Sequence, residues 1–228
     1  MTGSTTTPRE RYRQQVRTEV KEKAWQQIAG SGASALSLNA IAKQMGMSGP
    51  ALYRYFAGRD ELITELVTDA YRSLADTFAA VADGGTGRER LAGLAAALRH
   101  WALEDPHRYF LIYGTPIPGY HAPDDVTVIA SEMMSVLLDA CVTAVDPDSG
   151  TGAGAQDLDA HLAEHREWAA GHPDASPAAL RTALTFWSRL HGTLSLELAG
   201  HFTGMGPDPA LLFAAEVDAL TSRPTMTK

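Results

Sequence analysis

The sequence has few of the features that mark secreted, membrane-spanning or β-rich proteins. Cys141 is its only cysteine, so no disulfide can form within the chain, and a reducing compartment such as the cytoplasm is expected. No stretch approaches the roughly twenty unbroken apolar residues of a membrane span. The polar start, Met1 to Arg13, lacks the apolar segment of a signal peptide. No run of residues has the pattern of a strand, so the 228 residues are expected to form an all-α protein with a buried core.

Charge is distributed unevenly along the chain. The formal net charge of −8 argues against nucleic-acid binding when taken alone, because phosphate binding requires lysine and arginine. Residues 1–60 nevertheless hold nine basic and four acidic side chains, 9 − 4 = +5, so the remainder carries −8 − 5 = −13. A basic head on an acidic body fits polyanion binding at one end. A merely solvated first helix fits the same charges.

The spacing of apolar residues predicts four helices in the first 83 residues. Ser37 and Ser48 are predicted to cap the second and third helices through their hydroxyl groups, and Pro50 suits the first turn of the third. The tight turn Gly46–Ser48 joins these two helices in a helix-turn-helix arrangement, whose second helix enters the DNA major groove. Purely structural three-helix units have the same spacing, so periodicity alone leaves DNA binding open. The four predicted helices cover about residues 9–29, 38–45, 49–57 and 60–83.

The remainder of the chain also has helical spacing. Two late segments, about residues 178–203 and 209–221, are rich in Ala, Leu and Phe on more than one face, which predicts burial within the body or against a partner. The predicted breaks between the later helices fall at Gly84–Gly87, Asp105–Pro106, Gly114–Pro123, Asp146–Gly154, His172–Pro177 and Gly204–Pro209.

Residues 37–62, SLNAIAKQMGMSGPALYRYFAGRDEL, closely resemble the N-terminal signature of the TetR (tetracycline repressor) family. The resemblance implies a helix-turn-helix DNA-binding domain over residues 1–60 and a larger helical ligand-binding and dimerisation domain over residues 61–228. It also implies a ligand-responsive transcriptional regulator, a repressor released from its operator by a small apolar or amphipathic molecule. The matching residues are Ile41, Ala42, Gly46, Ser48, Leu52, Tyr53, Phe56, Arg59 and Leu62.

The same resemblance implies roles for individual residues at the DNA. Ser37 and Tyr53 look like phosphate ligands, and Arg59 resembles the family's phosphate-contacting lysine; such contacts fix position on the duplex without reading its sequence. Among the groove-facing residues, Arg54 is the one long side chain able to reach a guanine edge. The groove-facing positions are Ser48, Gly49, Pro50, Ala51 and Arg54.

Two features of this head depart from the pattern or extend beyond it. Gly49 and Pro50 stand where many relatives have at least one polar side chain, so base reading is expected to depend on backbone approach, on methyl contacts and on DNA shape. An arginine-containing segment ahead of the apolar stripe of the first helix is expected either to contact a phosphate backbone or minor groove or to form a disordered, solvated arm. Its arginines are Arg9, Arg11 and Arg13.

The segment Trp187-Ser-Arg-Leu-His191-Gly192 looks like a Trp/His/Gly signature found in one group of the family's C-terminal domains. It implies a ligand pocket inside the body and a homodimer interface made mainly from residues 178–203 and 209–221. Aromatic residues at helical spacing are first of all packing residues, so each pocket candidate has an ordinary core role as its alternative. The pocket candidates are Trp101, Tyr109, Tyr113, Met133, Met134, Trp187 and His191.

Enzymatic alternatives have little support, and no catalytic residue, cofactor or bound metal is expected. His161-Leu-Ala-Glu-His165 fits the inverted zinc-protease pattern, but no third ligand is evident nearby. Cys141 lies among apolar residues without the positive surroundings of a reactive thiolate. The rivals are a helical small-molecule-binding or zinc-dependent protein that keeps the head as a structural remnant, and a regulator that acts through protein partners.

Overall fold

The structure is a computed structural model that describes residues 7–81, 85–145 and 153–222. Within these ranges every regular element is a helix, which confirms the predicted all-α fold. The helices are α1 (Pro8–Ser31), α2 (Leu38–Gln44), α3 (Gly49–Leu52), α4 (Arg59–Ala79), α5 (Gly87–Glu104), α6 (Pro106–Tyr113), α7 (Asp124–Ala144), α8 (Ala153–Glu164), α9 (Pro177–Leu198) and α10 (Pro209–Thr221), with short 3₁₀ turns at Ala33–Ala35 and Glu167–Ala169.

The described residues divide into two compact units. The first unit lies within Met1–Ala70 and His107–Val126, and the second within Tyr71–Pro106 and Thr127–Lys228. The head is therefore grouped with α6 and with the loop that follows it. Helix α4 is continuous across residues 60 and 61, where the sequence predicts a domain boundary, and that boundary stays a prediction.

Helix α1 forms because its apolar residues recur every fourth position and because its first turn is capped. Val16, Val20, Ala24 and Ile28 are all buried, as their spacing predicts. Thr7 and Glu10 form a reciprocal capping box, in which the Glu10 backbone N–H donates to the Thr7 hydroxyl and the Thr7 backbone N–H donates to the Glu10 carboxylate. These bonds lower the pKa of Glu10.

The arginine-containing arm predicted before α1 is helical instead. Because Thr7 caps the helix and Pro8 occupies its first turn, Arg9, Arg11 and Arg13 belong to the first two turns of α1. They are exposed there, and they form no segment separate from the helix. The prediction of an arm at these three residues is wrong.

The second unit contains the long helix α9, which packs against α8, α5 and α10. Ser176 caps α9 by accepting a hydrogen bond from the Ala179 backbone N–H at 3.2 Å. The helix ends at Leu198, five residues earlier than predicted, because Gly200 adopts φ 76° and the His201 N–H closes a bond to the Leu196 carbonyl at 3.0 Å. This is the Schellman arrangement, which stops a helix at a glycine.

Helices α7 and α10 are strongly apolar. Helix α7 is the one helix within the described ranges that is long and apolar enough to cross a membrane by length and composition. Its side chains Met133, Leu137, Leu138 and Cys141 are buried, as in the core helix of a folded domain. Helix α10, in contrast, buries Phe213 but leaves Leu211 70% exposed.

Candidate nucleic-acid interface

The turn between α2 and α3 has the geometry that a helix-turn-helix requires. Gly46 adopts φ 65°, a left-handed conformation that costs other residues energy because of their Cβ atom. The Met47 N–H donates to the Ala42 carbonyl at 2.9 Å and the Gly46 N–H to the Lys43 carbonyl at 3.2 Å, which closes the end of α2. The turn therefore ends α2 and leads within a few residues to α3, which packs against α2.

The two predicted serine caps have different outcomes. Ser37 caps α2 as predicted, because its hydroxyl accepts from the Ala40 backbone N–H at 3.3 Å, and its own N–H donates to the Gln27 side chain at 3.0 Å. Ser48 stands at the N-cap of α3, but its hydroxyl accepts no capping hydrogen bond there. Its carbonyl accepts from Ala51 and Leu52 instead, so the predicted side-chain cap is wrong and the hydroxyl is exposed.

The recognition segment, defined here as residues 48–56, has one buried and one exposed side. Leu52 and Phe56 are 1% and 0% exposed and anchor the segment in the first unit. Tyr53 is 48% exposed and Arg54 is also exposed, so both side chains are open to a ligand outside the protein. Of the other predicted DNA contacts, Ser48 and Pro50 are exposed, whereas Gly49, Ala51, Ser37 and Arg59 are half-buried.

Gly49 lies close to α2. A Cβ atom added at Gly49 would stand 3.3 Å from the Asn39 side-chain oxygen, so a larger residue would have to displace Asn39. The exposed Asn39 thus borders the recognition segment. Asn39 was not among the predicted contacts, and its position at the second residue of α2, two residues after Ser37, is the signal that could have found it.

The Arg59 side chain makes its hydrogen bonds within the head. Its guanidinium donates to the carbonyl oxygens of Ala33, Ser34 and Leu36 at 3.1, 3.2 and 3.2 Å, and it lies 3.7 Å from the Asp60 carboxylate. The start of α4 is thereby tied to the connection between α1 and α2. The predicted contact of Arg59 with a DNA phosphate stays a prediction.

Two basic residues of α1 pair with acidic residues of α4. The Arg17 guanidinium contacts Glu65, lies 3.5 Å from Glu61 and donates to the Tyr55 carbonyl. The Lys21 ammonium lies 2.6 Å from Asp69 and 3.8 Å from Glu65. Part of the +5 charge of residues 1–60 is therefore neutralised by carboxylates of α4 that lie beyond residue 60. The sequence analysis counted Arg17 and Lys21 only as charges, and their partners, more than forty residues away, could not be read from local spacing.

The pocket candidates fall into both units. In the second unit, the indole N–H of Trp101 donates to the Ser73 hydroxyl at 3.1 Å, and the Trp187 ring lies 4.1 Å from the His191 ring and 6.3 Å from that of Phe78. Burial lowers the pKa of His191 to about 4, so its imidazole is neutral at pH 7. Met133, on α7, is also buried.

The two tyrosine candidates belong to the first unit. The Tyr109 ring is 1% exposed and lies 5.3 Å from that of Tyr113 and 5.4 Å from that of Phe110. Burial raises the pKa of the Tyr109 hydroxyl well above its usual value. The structure thus gathers Tyr109 and Tyr113 into one aromatic cluster in the first unit, and it brings Trp187 and His191 together in the second unit.

Met134 lines an open groove of about 710 Å³ in the second unit. The groove lies between α7 and residues 167–172, where Trp168 and Leu184 provide further apolar surface. The sequence analysis did not name Trp168, because the segment around it is polar and has no helical spacing.

His161, His165 and Cys141 were considered in the sequence as possible metal-binding or catalytic residues. His161 and His165 are exposed and stack at 4.1 Å on the last turns of α8. Among the side chains that the structure describes, no three His, Cys, Asp or Glu residues are grouped so that they could hold a metal ion. Burial raises the pKa of the Cys141 thiol to about 12, which keeps it protonated at neutral pH.

Comparisons with known proteins agree with this geometry. Residues 22–66 match the family described as bacterial regulatory proteins, tetR family, and residues 91–220 match the tetracyclin repressor-like C-terminal domain. The chain is 33% identical over 218 residues to the HTH-type transcriptional regulator Rv1816 of Mycobacterium tuberculosis, with 92% of each chain covered.

Solved structures share the fold. The crystal structure of SCO4313, a protein named provisionally as regulatory, is 64% identical with a TM-score of 0.82, covering 94% of this chain and 98% of that one. The transcriptional regulator FadR of Bacillus subtilis, solved in complex with stearoyl-CoA, is 15% identical with a TM-score of 0.54, covering 90% and 97%, and this likeness concerns the fold alone. On its sequence matches at both ends and over nearly its whole length, the chain belongs to the TetR family of bacterial transcriptional regulators.

Proposed function

We propose that this regulator is a homodimeric repressor that binds a near-palindromic operator through residues 48–54 and is released by a small apolar or amphipathic molecule. The observation that carries the DNA-binding part is the exposure of Tyr53 and Arg54 on a segment whose opposite side is anchored by Leu52 and Phe56. An exposed arginine on a fixed backbone can reach a guanine edge, and a tyrosine hydroxyl beside it can reach a phosphate. Ser37, Ser48 and Arg59 are proposed as further backbone contacts.

The proposed dimer forms through α9 and α10. Leu211 is 70% exposed, Leu212 37% and Leu196 46%, although the helices that carry them are among the most apolar of the chain. Exposed apolar surface of this kind marks an interaction site. In a twofold dimer each copy would present the same patch, and two heads would meet successive major grooves about 34 Å apart.

The proposed effector site is in the body. Its proposed lining is Trp101, Met133, Trp187 and His191 of the second unit, which combine apolar side chains with a neutral imidazole, as small-molecule sites do. FadR of Bacillus subtilis, which shares this fold, was solved in complex with the amphipathic acyl ligand stearoyl-CoA, and this supports the choice of effector class. Effector binding would release DNA only to the extent that it favours one conformation of the body over the other.

The protein is proposed to act by binding alone, in the cytoplasm, without catalysis. Its family is one of transcriptional regulators, and this membership does not favour the alternative of a zinc-dependent protein with a remnant head. A body that acts through protein partners instead would leave the head without selective affinity for DNA.

The test is selection of duplexes from random-sequence DNA by the purified protein, followed by affinity measurements at two salt concentrations. The expected winner is close to palindromic, and its affinity falls steeply with salt because each neutralised phosphate adds about −0.9 to the logarithmic slope. Stearoyl-CoA and matched short-chain thioesters then serve as effector probes on the winning duplex. Absence of any enriched duplex would contradict the proposal, and enrichment without release by any probe would contradict its acyl effector only.

A further inference from the structure

Arg17 occupies the point where α1, the end of the recognition segment and α4 meet. Its guanidinium donates to the Tyr55 carbonyl oxygen and lies 4.2 Å from the centre of the Phe56 ring. On the other side it contacts the Glu65 carboxylate and lies 3.5 Å from that of Glu61. One side chain of α1 therefore holds both the backbone of the recognition segment and the first turns of α4.

The recognition segment depends on such support because its regular helix is very short. Helix α3 has four residues, whereas isolated helices need roughly 12–15 residues to be even marginally stable in water. The carbonyl groups at the end of a helix also lack partners within it. By binding the Tyr55 carbonyl, Arg17 provides a hydrogen-bond partner for a backbone group three residues beyond the end of α3.

Arg17 is poorly placed to contact DNA itself. Its side chain is only 16% exposed, and two carboxylates neutralise its charge. Arg54 on the recognition segment and Lys43 at the end of α2 are exposed, and no ion pair involving either is found in the described part of the chain. Contributions to phosphate binding are therefore expected from these residues and not from Arg17.

We infer that Arg17 is a positioning residue for sequence selection: it fixes where Tyr53 and Arg54 lie relative to α4 without touching DNA. The inference rests on the proposed DNA reading by residues 48–54. A base contact discriminates only when the donor lies within hydrogen-bonding distance of one edge, whereas phosphate attraction tolerates displacement. Loss of Arg17 should therefore reduce selectivity and leave non-specific binding nearly unchanged.

The experiment compares Arg17→Met with Lys21→Met in the full-length protein. Methionine keeps an apolar stem against Phe56 but removes the donors to Tyr55 and the pairing with Glu65. Lys21 lies one turn along the same face of α1 and pairs with Glu65 and Asp69, and no hydrogen bond or ion pair found among the described residues joins it to the recognition segment. The affinity of each variant for the selected duplex and for random duplex is measured across a salt series.

For Arg17→Met we expect about a tenfold loss of affinity for the selected duplex, the lower end of what one misplaced base contact costs. Affinity for random duplex should change by about twofold at most, and the salt slope should stay the same, because no phosphate contact is lost. Lys21→Met should keep the ratio of selected to random affinity. A variant that is merely less stable loses both affinities in proportion, which leaves that ratio unchanged.

An unchanged ratio in Arg17→Met, or a salt slope smaller by about 0.9, would overturn the inference in favour of a structural or phosphate-binding role. If Arg17→Met does not fold, Glu65→Gln provides the same test, since it weakens the hold on Arg17 while preserving shape. A wild-type protein that selects no duplex would refute the proposed function as well, whereas selective wild type with an unaffected variant would refute only the role of Arg17.

Discussion

The head and the last two helices present contrasting surfaces. In the head, the large apolar residues of α2, α3 and the start of α4 are buried, and arginine and lysine side chains join helices through carboxylates and carbonyls. In α10, most of the apolar side chains remain outside, Leu211 among them. Because some of its basic side chains are already paired, the net charge of the head overstates the number of phosphate contacts that it can make. Apolar surface that is exposed on a single chain indicates instead a protein partner.

The largest expected effect comes from placing charge on the apolar side of this comparison. Leu211→Asp should convert a dimer into monomers of 24.4 kDa. Burying one leucine contributes about 1.5–3 kcal/mol, and twofold symmetry counts it twice, so dimerisation should weaken by at least about a hundredfold. Light scattering over a concentration series measures the mass. Leu158→Asp, at a leucine of α8 that is 40% exposed, is the control, and a dimeric Leu211→Asp would refute the proposed interface.

A second test concerns the interior of the body. The pKa of His191 is lowered from 6.5 to about 4, so the unfolded chain binds its proton at a higher pH than the folded chain does. Stability should therefore fall as pH drops from about 6.5 to about 4, by roughly 2 kcal/mol once the partial exposure of the ring is allowed for. Urea unfolding at several pH values should show this difference between wild type and His191→Gln. Parallel pH profiles would contradict it.

A third test concerns the turn of the head. Gly46→Ala should destabilise the protein by about 1–2 kcal/mol, because alanine is strained at φ 65°. Gly30→Ala is a matched control within α1, where an added Cβ meets nothing within 4 Å and alanine favours the helix. Urea unfolding should move the two variants in opposite directions. Equal effects would show that the turn tolerates a side chain.

The smallest effect is expected where the loop after α6 meets α4 inside the first unit. The hydroxyl groups of Tyr120 and Thr64 lie 3.1 Å apart. Tyr120→Phe should remove this hydrogen bond at a cost of about 1 kcal/mol. Tyr12→Phe, at a tyrosine that is 63% exposed, should change the melting temperature very little. A melting temperature of Tyr120→Phe that matches that of Tyr12→Phe would show that the bond adds no stability.

Local patterns predicted most of the helices and the turn, because caps, glycines and apolar spacing act within a few residues. Ser37 caps α2 as its position predicts, and α10 covers residues 209–221 as its spacing predicts. The same reasoning failed for Ser48, whose hydroxyl makes no capping bond, and for Arg9, which the Thr7 capping box places inside α1.

Long-range partners were beyond reach of the sequence. Arg17 and Glu65 are residue types that usually lie exposed on the surface, and they form an ion pair only because α1 packs against α4. Most of the pocket candidates are aromatic, and this shared property does not determine which of them are in contact. Trp187 and His191 are in contact because they are one turn apart on α9, and Tyr109 and Tyr113 because they are one turn apart on α6. Neighbours along one helix could be read from spacing, whereas contacts between helices could not.

The bonds of Arg59 have a consequence for how this head varies among descendants. Arg59 binds the carbonyl oxygens of Ala33 and Ser34, which every amino acid possesses, and uses none of their side-chain atoms. Substitutions at Ala33 and Ser34 should therefore have little effect on the placement of α4, whereas replacing Arg59 by a side chain with fewer donors should lose some of these hydrogen bonds. A library of all substitutions should show tolerance at positions 33 and 34 and much less tolerance at position 59. The connection between α1 and α2 can thus change in sequence while its backbone geometry is kept.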